Sequence, residues 1–150
     1  LRKLDASEWD GIITAAAALH RLGLQDRISQ YLNPEYFVPA SGQGALGLET
    51  ATDREDIKQI LSAIIDIKTT RCCQAERLYM RQMEGGCFAP LGCWARVESD
   101  AFSITGYSAS LDGSQSLQKT LQGDILDAEK LALDLSDLMI QNGAKELVPK

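Results

Sequence analysis

Glu84-Gly85-Gly86-Cys87 joins the side chain best suited to covalent chemistry to two residues that release the backbone. The motif falls where a helical pattern stops, and Pro90 and strand-like segments follow it. A cysteine hydrolase would need a base to activate this thiol, usually a histidine. The only histidine, His20, lies in the other half of the chain, and no spacing ties it to Cys87. Cys87 also follows a predicted helix C-terminus and stands three residues after Glu84. The negative end of the helix dipole and a carboxylate both disfavour a thiolate. Such a thiol suits a single addition to a very reactive electrophile, and therefore a permanent thioether anchor rather than a turnover nucleophile. The plainer alternative is an inert, buried cysteine, which is what most free cysteines are.

Other groups offer less. Cys72, Cys73 and Cys93 complete the cysteine set, with no CxxC spacing, so the sequence presents no metal site. With a single histidine, these read as reduced thiols in a cytoplasm-like compartment. Ser41-Gly42-Gln43-Gly44 is a glycine loop whose amides could approach a ligand. It lacks the lysine and hydroxyl of a phosphate-binding loop, so a tight crossover is the simpler reading. Arg77 and Arg81 share a helix face with Cys73, as a solvated or interface face or as an anion contact.

The elements that must position these groups follow from periodicity. The chain has 150 residues, 45% hydrophobic and 24% charged, enough for a real core. A net charge of −6 argues against a general nucleic-acid surface but leaves room for a local arginine cluster that binds a small anion. No apolar run approaches a membrane span, and no basic leader opens the sequence. The start at Leu1, in mid-pattern, reads as a fragment or a processed product.

Residues 9–16 read as a buried strand, 17–22 as helical turns ended by Gly23, and 26–32 as a short helix. Residues 36–38 read as a short extended piece and 45–49 as another strand. Thr52 and Glu55 have capping-box spacing ahead of a helix carrying Ile57, Ile60, Leu61 and Ile64 on one face. A second helix is expected over about 69–83, with Cys72, Ala75, Tyr79 and Met83 as its inward stripe. Strands are expected at 92–97, 102–108 and 116–121, with a hairpin turn at 111–114. Asp124 then caps a long helix with Ile125, Ala128, Leu131, Leu135 and Leu138 inward, ended by Asn142-Gly143. The expected fold is an α+β C-terminal domain, a three-stranded antiparallel sheet with helices on one face, over residues 67–150. A partial α/β region over 1–66 precedes it.

Several motifs occur in a telling order: Leu1-Arg2-Lys3-Leu4-Asp5, Asp10-Gly11-Ile12-Ile13-Thr14-Ala15-Ala16-Ala17, Arg21-Leu22-Gly23-Leu24, Gly42-Gln43-Gly44-Ala45-Leu46-Gly47-Leu48-Glu49, Ala75-Glu76-Arg77 and Glu84-Gly85-Gly86-Cys87. Together they resemble the C-terminal half of the porphobilinogen deaminase (hydroxymethylbilane synthase) family, and the resemblance covers essentially the whole chain. It implies a transferase of haem and chlorophyll biosynthesis that joins four porphobilinogen molecules head to tail, releasing ammonia, to give hydroxymethylbilane.

It also implies a dipyrromethane cofactor held by a thioether to Cys87. The acetate and propionate groups of the growing chain call for arginine partners, and Arg21 matches a carboxylate-binding position of the family. Gln43, Gly44 and Ala15 match positions lining the cofactor cleft, while Arg77 matches a position that braces a domain interface. Ala18, His20 and Ser41 depart from the family's usual glycine, lysine and apolar residue, which puts local cleft contacts in doubt.

The resemblance makes residues 1–66 the end of the second cleft-forming domain plus a segment returning from the first. The acidic residue credited with assisting ammonia loss would lie in an N-terminal half outside this sequence, supplied in cis or in trans. This implies a cytoplasmic protein, or a stromal one in a plant or alga, with no nucleic acid or membrane as partner. The competing reading is a non-catalytic module of the same ancestry that binds a small anion or a partner chain, with Cys87 a plain thiol.

Overall fold

The computed structural model describes residues 1–84 and 89–148. It divides into two compact units, Leu1–Asn33 and Pro34–Lys150.

The first unit holds two short helices, α1 (Arg2–Asp5) and α2 (Ala16–Arg21), and a 3-10 turn at Gln25–Arg27. α2 ends as its sequence requires, with Gly23 at φ +66° in the left-handed region that favours glycine. The strand expected over 9–16 is not there: Trp9 and Ile13 are 60% and 72% exposed, and the backbone up to Ala15 is irregular. Its apolar run has no partner strand among the described residues, and unpaired strand amides gain nothing from an extended conformation. The helix expected over 26–32 shrinks to the single 3-10 turn. Within this unit the Arg27 guanidinium pairs with Asp5, and His20 Nε2 lies 2.9 Å from the Tyr31 hydroxyl with the two rings stacked.

The second unit carries the core. α3 (Glu55–Ser62) is followed by α4 (Ile67–Met83), then β1 (Leu91–Glu98), β2 (Ala101–Ala109) and β3 (Ser116–Asp124). A 3-10 turn leads into α5 (Ala128–Gln141), and α6 (Ala144–Leu147) follows. The strands form one antiparallel sheet in the order β1-β2-β3, with α4 and α5 packed on the same face and against each other.

The register puts Cys93, Ala95, Val97, Phe102, Ile104 and Gly106 on that inner face. They meet Cys72, Ala75, Tyr79 and Met83 of α4, the stripe its periodicity predicts, and Ala132, Leu135 and Met139 of α5. On α5 the buried face is centred on Ala132, Leu135 and Met139, with Leu131 and Leu138 at its margins. Two inner-face glycines mark where helices come closest. A Cβ on Gly123 would lie 2.9 Å from Leu131, and one on Gly106 only 2.6 Å from the Tyr79 hydroxyl.

Asp66 caps α4 by accepting the Thr69 N–H at 2.6 Å, so this helix starts two residues before the expected position. The capping box expected at α3 does not form. Arg54 occupies the cap position without a side-chain capping bond, its guanidinium going to Asp56, and Glu55 instead pairs with Lys58, one turn on. The 36–38 and 45–49 pieces are not strands; Pro34, Glu35 and Tyr36 form a turn, and Leu46 is 86% exposed. β1 and β2 are joined by Ser99 and Asp100, both at positive φ, the tight hairpin geometry without the usual glycine.

The β2–β3 turn is held by Asp112, whose Oδ1 accepts from the Ser110 hydroxyl at 2.6 Å, the Ser114 hydroxyl at 2.8 Å and the Ser114 N–H at 3.1 Å. These bonds, the Ser110 one first, lower its pKa from 3.8 to about 2. A carboxyl depressed on folding contributes stability that is present above its unfolded pKa and lost as pH falls through the folded one. Acid titration of unfolding should therefore show the chain losing stability between 3.8 and about 2 to a greater extent than Asp112→Asn does. Parallel curves for the two proteins would refute this.

Candidate functional site

Of the Glu84-Gly85-Gly86-Cys87 motif, only Glu84 lies among the described residues; Cys87, the expected anchor, lies outside them. Glu84 closes α4 in the left-handed conformation, φ 55° and ψ 29°, with its N–H donating to Arg81 O at 3.2 Å. A left-handed residue other than glycine is uncommon, and here it ends the helix. Its carboxylate accepts from Lys145 Nζ of α6 at 3.1 Å.

The other three cysteines are poor nucleophiles. Burial, and after it the nearby Glu76 charge, pushes the Cys72 thiol up to about 11. Cys73 is raised and Cys93 raised well above its ordinary value, in both cases chiefly by burial. Arg77 and Arg81 are exposed on α4. Among the described residues no group of three or more His, Cys, Asp or Glu side chains could hold a metal ion.

The candidate cleft residues fall in both units. Ala15 is the N-cap of α2, in extended conformation, and Arg21 is the last residue of that helix. The Arg21 side chain is exposed and makes no ion pair among the described residues, so its fork remains available to a carboxylate. Gln43 and Gly44 belong to the second unit. Their loop is a tight turn with Gly42 at φ +77° and Gly44 at φ +80°, and a Cβ on either glycine would meet nothing within 4 Å. The backbone at these two glycines is therefore open to close approach.

The position of this loop is set by a residue to which sequence reasoning gave no role. Glu76 of α4 is buried, 6% exposed, beside the inward stripe. Its Oε2 accepts the Gly42 N–H at 2.7 Å and its Oε1 accepts the Ala95 N–H at 2.8 Å. The Ser41 hydroxyl is buried beside it without reaching a hydrogen bond of good geometry, yet still favours the charged form. Desolvation outweighs these bonds, and the Glu76 carboxyl is raised above its ordinary 4.5. A cavity of about 220 Å³ opens beside it, lined by Gln43, Gly44, Cys72, Cys73 and Trp94 among others.

In the sequence Glu76 stands within the Ala75-Glu76-Arg77 motif, a carboxylate one position from the inward Ala75. A charged residue is rarely placed there without partners.

Two family models match this chain in order. Residues 1–59 match one described as "Porphobilinogen deaminase, dipyromethane cofactor binding domain", and residues 70–141 match "Porphobilinogen deaminase, C-terminal domain". The chain belongs to the porphobilinogen deaminase family.

Similar curated proteins named porphobilinogen deaminase come from diverse bacteria. That of Alkaliphilus metalliredigens is 40% identical over 148 residues, 99% of this chain and 47% of the relative. That of Nostoc sp. is 41% identical over 148 residues, 99% of this chain and 46% of the relative. That of Bacillus thuringiensis is 42% identical over 150 residues, 99% of this chain and 48% of the relative. The chain thus spans about half the length of the curated relatives it matches.

Within the porphobilinogen deaminase frame, the three-stranded sheet, α5 and all of α4 but its first three residues fall within the match to the family's C-terminal domain. Ala15, Arg21, Gln43 and Gly44 all fall within the match to the cofactor-binding domain. No helix of the described residues is long and apolar enough to cross a membrane.

Proposed function

We propose that this chain is the cofactor-bearing C-terminal portion of a porphobilinogen deaminase. The whole enzyme would polymerise four porphobilinogen molecules into hydroxymethylbilane with release of ammonia. The observation that carries this reading is the ordered match to two domains of one family, with 40% identity across 99% of the chain in one relative.

Residues 1–66 would be the part of the cleft-forming domains present here, and 67–150 the domain carrying the cysteine. Cys87 would hold a dipyrromethane through a thioether, and Arg21, Gln43, Gly44 and Ala15 would line its site. The chemistry of these groups fits that cofactor. Arg21 offers a fork with no internal ion pair among the described residues, and the Gly42–Gly44 turn leaves its backbone open to a flat ring. When bound, the dipyrromethane supplies the pyrrole end on which chain growth begins. The thiol needs only to be accessible once to a strong electrophile, so an unactivated cysteine suffices. The acidic group that assists ammonia loss would come from the N-terminal half, in cis or in trans, and the chain alone would form no bilane. The protein would act in the cytoplasm, or in a plastid stroma in a plant or alga, with neither nucleic acid nor membrane as partner.

The test is the intact mass of the chain after mixing with the N-terminal half of the Bacillus thuringiensis relative and porphobilinogen. The expected result is an added mass of two linked pyrrole units that react with Ehrlich's reagent and are absent from Cys87→Ser. A bare Cys87 in that mixture, with the two halves shown to associate, would replace the enzyme reading by an anion- or partner-binding module.

A further inference from the structure

We infer that Glu76 is the positioning residue of the Gln43–Gly44 loop, its carboxylate serving as the internal anion around which the glycine turn is wound. The use of that loop in binding rests on the function proposed above; the clamp itself rests on geometry.

Left-handed glycines in a tight turn direct amides toward a common point and so favour an anion. At Gly42 that anion is built in: Glu76 Oε2 takes its N–H at 2.7 Å. This answers the phosphate-loop question posed by the sequence, because the amide of the first glycine is already engaged. The second oxygen takes the Ala95 N–H at 2.8 Å on the free edge of β1, where a fourth strand would otherwise pair. Two residues earlier on that edge, Cys93 N–H donates to Pro39 O at 3.0 Å. The loop therefore lies along β1 through one backbone bond and one shared carboxylate, and Glu76 is the only side chain among the described residues that hydrogen-bonds both.

Both amides charge-assist the same anion, and the carboxylate has no cationic partner at ion-pair distance among the described residues. Protonation removes the charge and turns one oxygen into a hydroxyl, a donor and a weaker acceptor, which loosens one of the two contacts. The groups around it are Cys72, Cys73 and Lys68 from α4, Cys93 and Arg96 from β1, and Ser41 from the loop. The three thiols are raised by burial and stay protonated while a carboxyl titrates. Among Glu76 and these described neighbours, Glu76 is the one carboxyl.

Amide NMR of the chain across mildly acidic pH tests the clamp. The Gly42 and Ala95 amide protons should move together with one midpoint above the ordinary carboxyl value of 4.5. Glu76→Gln, which keeps the shape but offers only one acceptor oxygen, should abolish the shared titration. Independent midpoints, or no response in the wild type, would overturn the clamp whether or not the variant folds.

A second arm uses the chain mixed with the N-terminal half of a relative. Glu76→Gln should still load Cys87 but lower kcat/KM for porphobilinogen by at least about tenfold. Lowered thermal stability with unchanged kcat and KM would make Glu76 merely structural. Failure of the wild-type mixture to load, with the shared titration intact, would overturn the proposed function and spare the clamp.

Discussion

Gly106→Ala is expected to destabilise the second unit by about 1–3 kcal/mol, the usual cost of forcing atoms into a filled core. Gly106 sits in the middle of β2 on the face that meets α4. A Cβ there would lie 2.6 Å from the Tyr79 hydroxyl oxygen, 2.7 Å from Cζ and 2.8 Å from Cε2. All three are far inside van der Waals contact, and the ring cannot swing away because Tyr79 is fully buried. Relief requires α4 to lift from the sheet, which opens contacts along Ala75 and Met83 as well. The backbone at Gly106 is not left-handed, so the cost is one of space rather than conformation. Thermal or urea unfolding measures it, and each kcal/mol lowers the midpoint by roughly 2–4 °C in a chain of this size. Gly47→Ala is the control, since a Cβ there meets nothing and φ is ordinary. Equal stability of the two variants would show that the α4–β2 contact is looser than described.

The same contact explains what the sequence revealed and what it hid. The back half was legible because its periods are strong. Cys72, Ala75, Tyr79 and Met83 recur at helical spacing, and the three strands are bounded by turn residues. Even there the β1–β2 hairpin went unread, because Ser99 and Asp100 adopt positive φ without the glycine that advertises it.

The front half misled for a physical reason. Residues 9–16 have the apolar run of a buried strand, but a strand exists only through its partners, and none is present among the described residues. The reading of Cys87 as an anchor rests on residue types alone, and Cys87 lies outside the described residues. Glu76 was not readable. Its role depends on two amides 34 and 19 residues away, which no local pattern encodes.

Tyr79→Phe should stabilise the chain, by about 1 kcal/mol or more. The Tyr79 hydroxyl is fully buried and has no hydrogen-bond partner among the described residues. A desolvated donor left unpaired costs about 1–3 kcal/mol, and its removal in an unchanged ring returns that cost without opening a large cavity. Burial also raises the phenol's pKa, so ionisation offers no compensation at ordinary pH. The two substitutions at this contact should couple. In the Gly106→Ala background, Tyr79→Phe removes the nearest clashing atom, at 2.6 Å, and its benefit should exceed that in the wild type. Rescue should stay partial, because ring carbons at 2.7 and 2.8 Å remain in the way. A double-mutant cycle on unfolding free energies reads this coupling directly. A destabilised Tyr79→Phe would mean that the hydroxyl has a hydrogen-bond partner and that its burial carries no unpaired-donor cost.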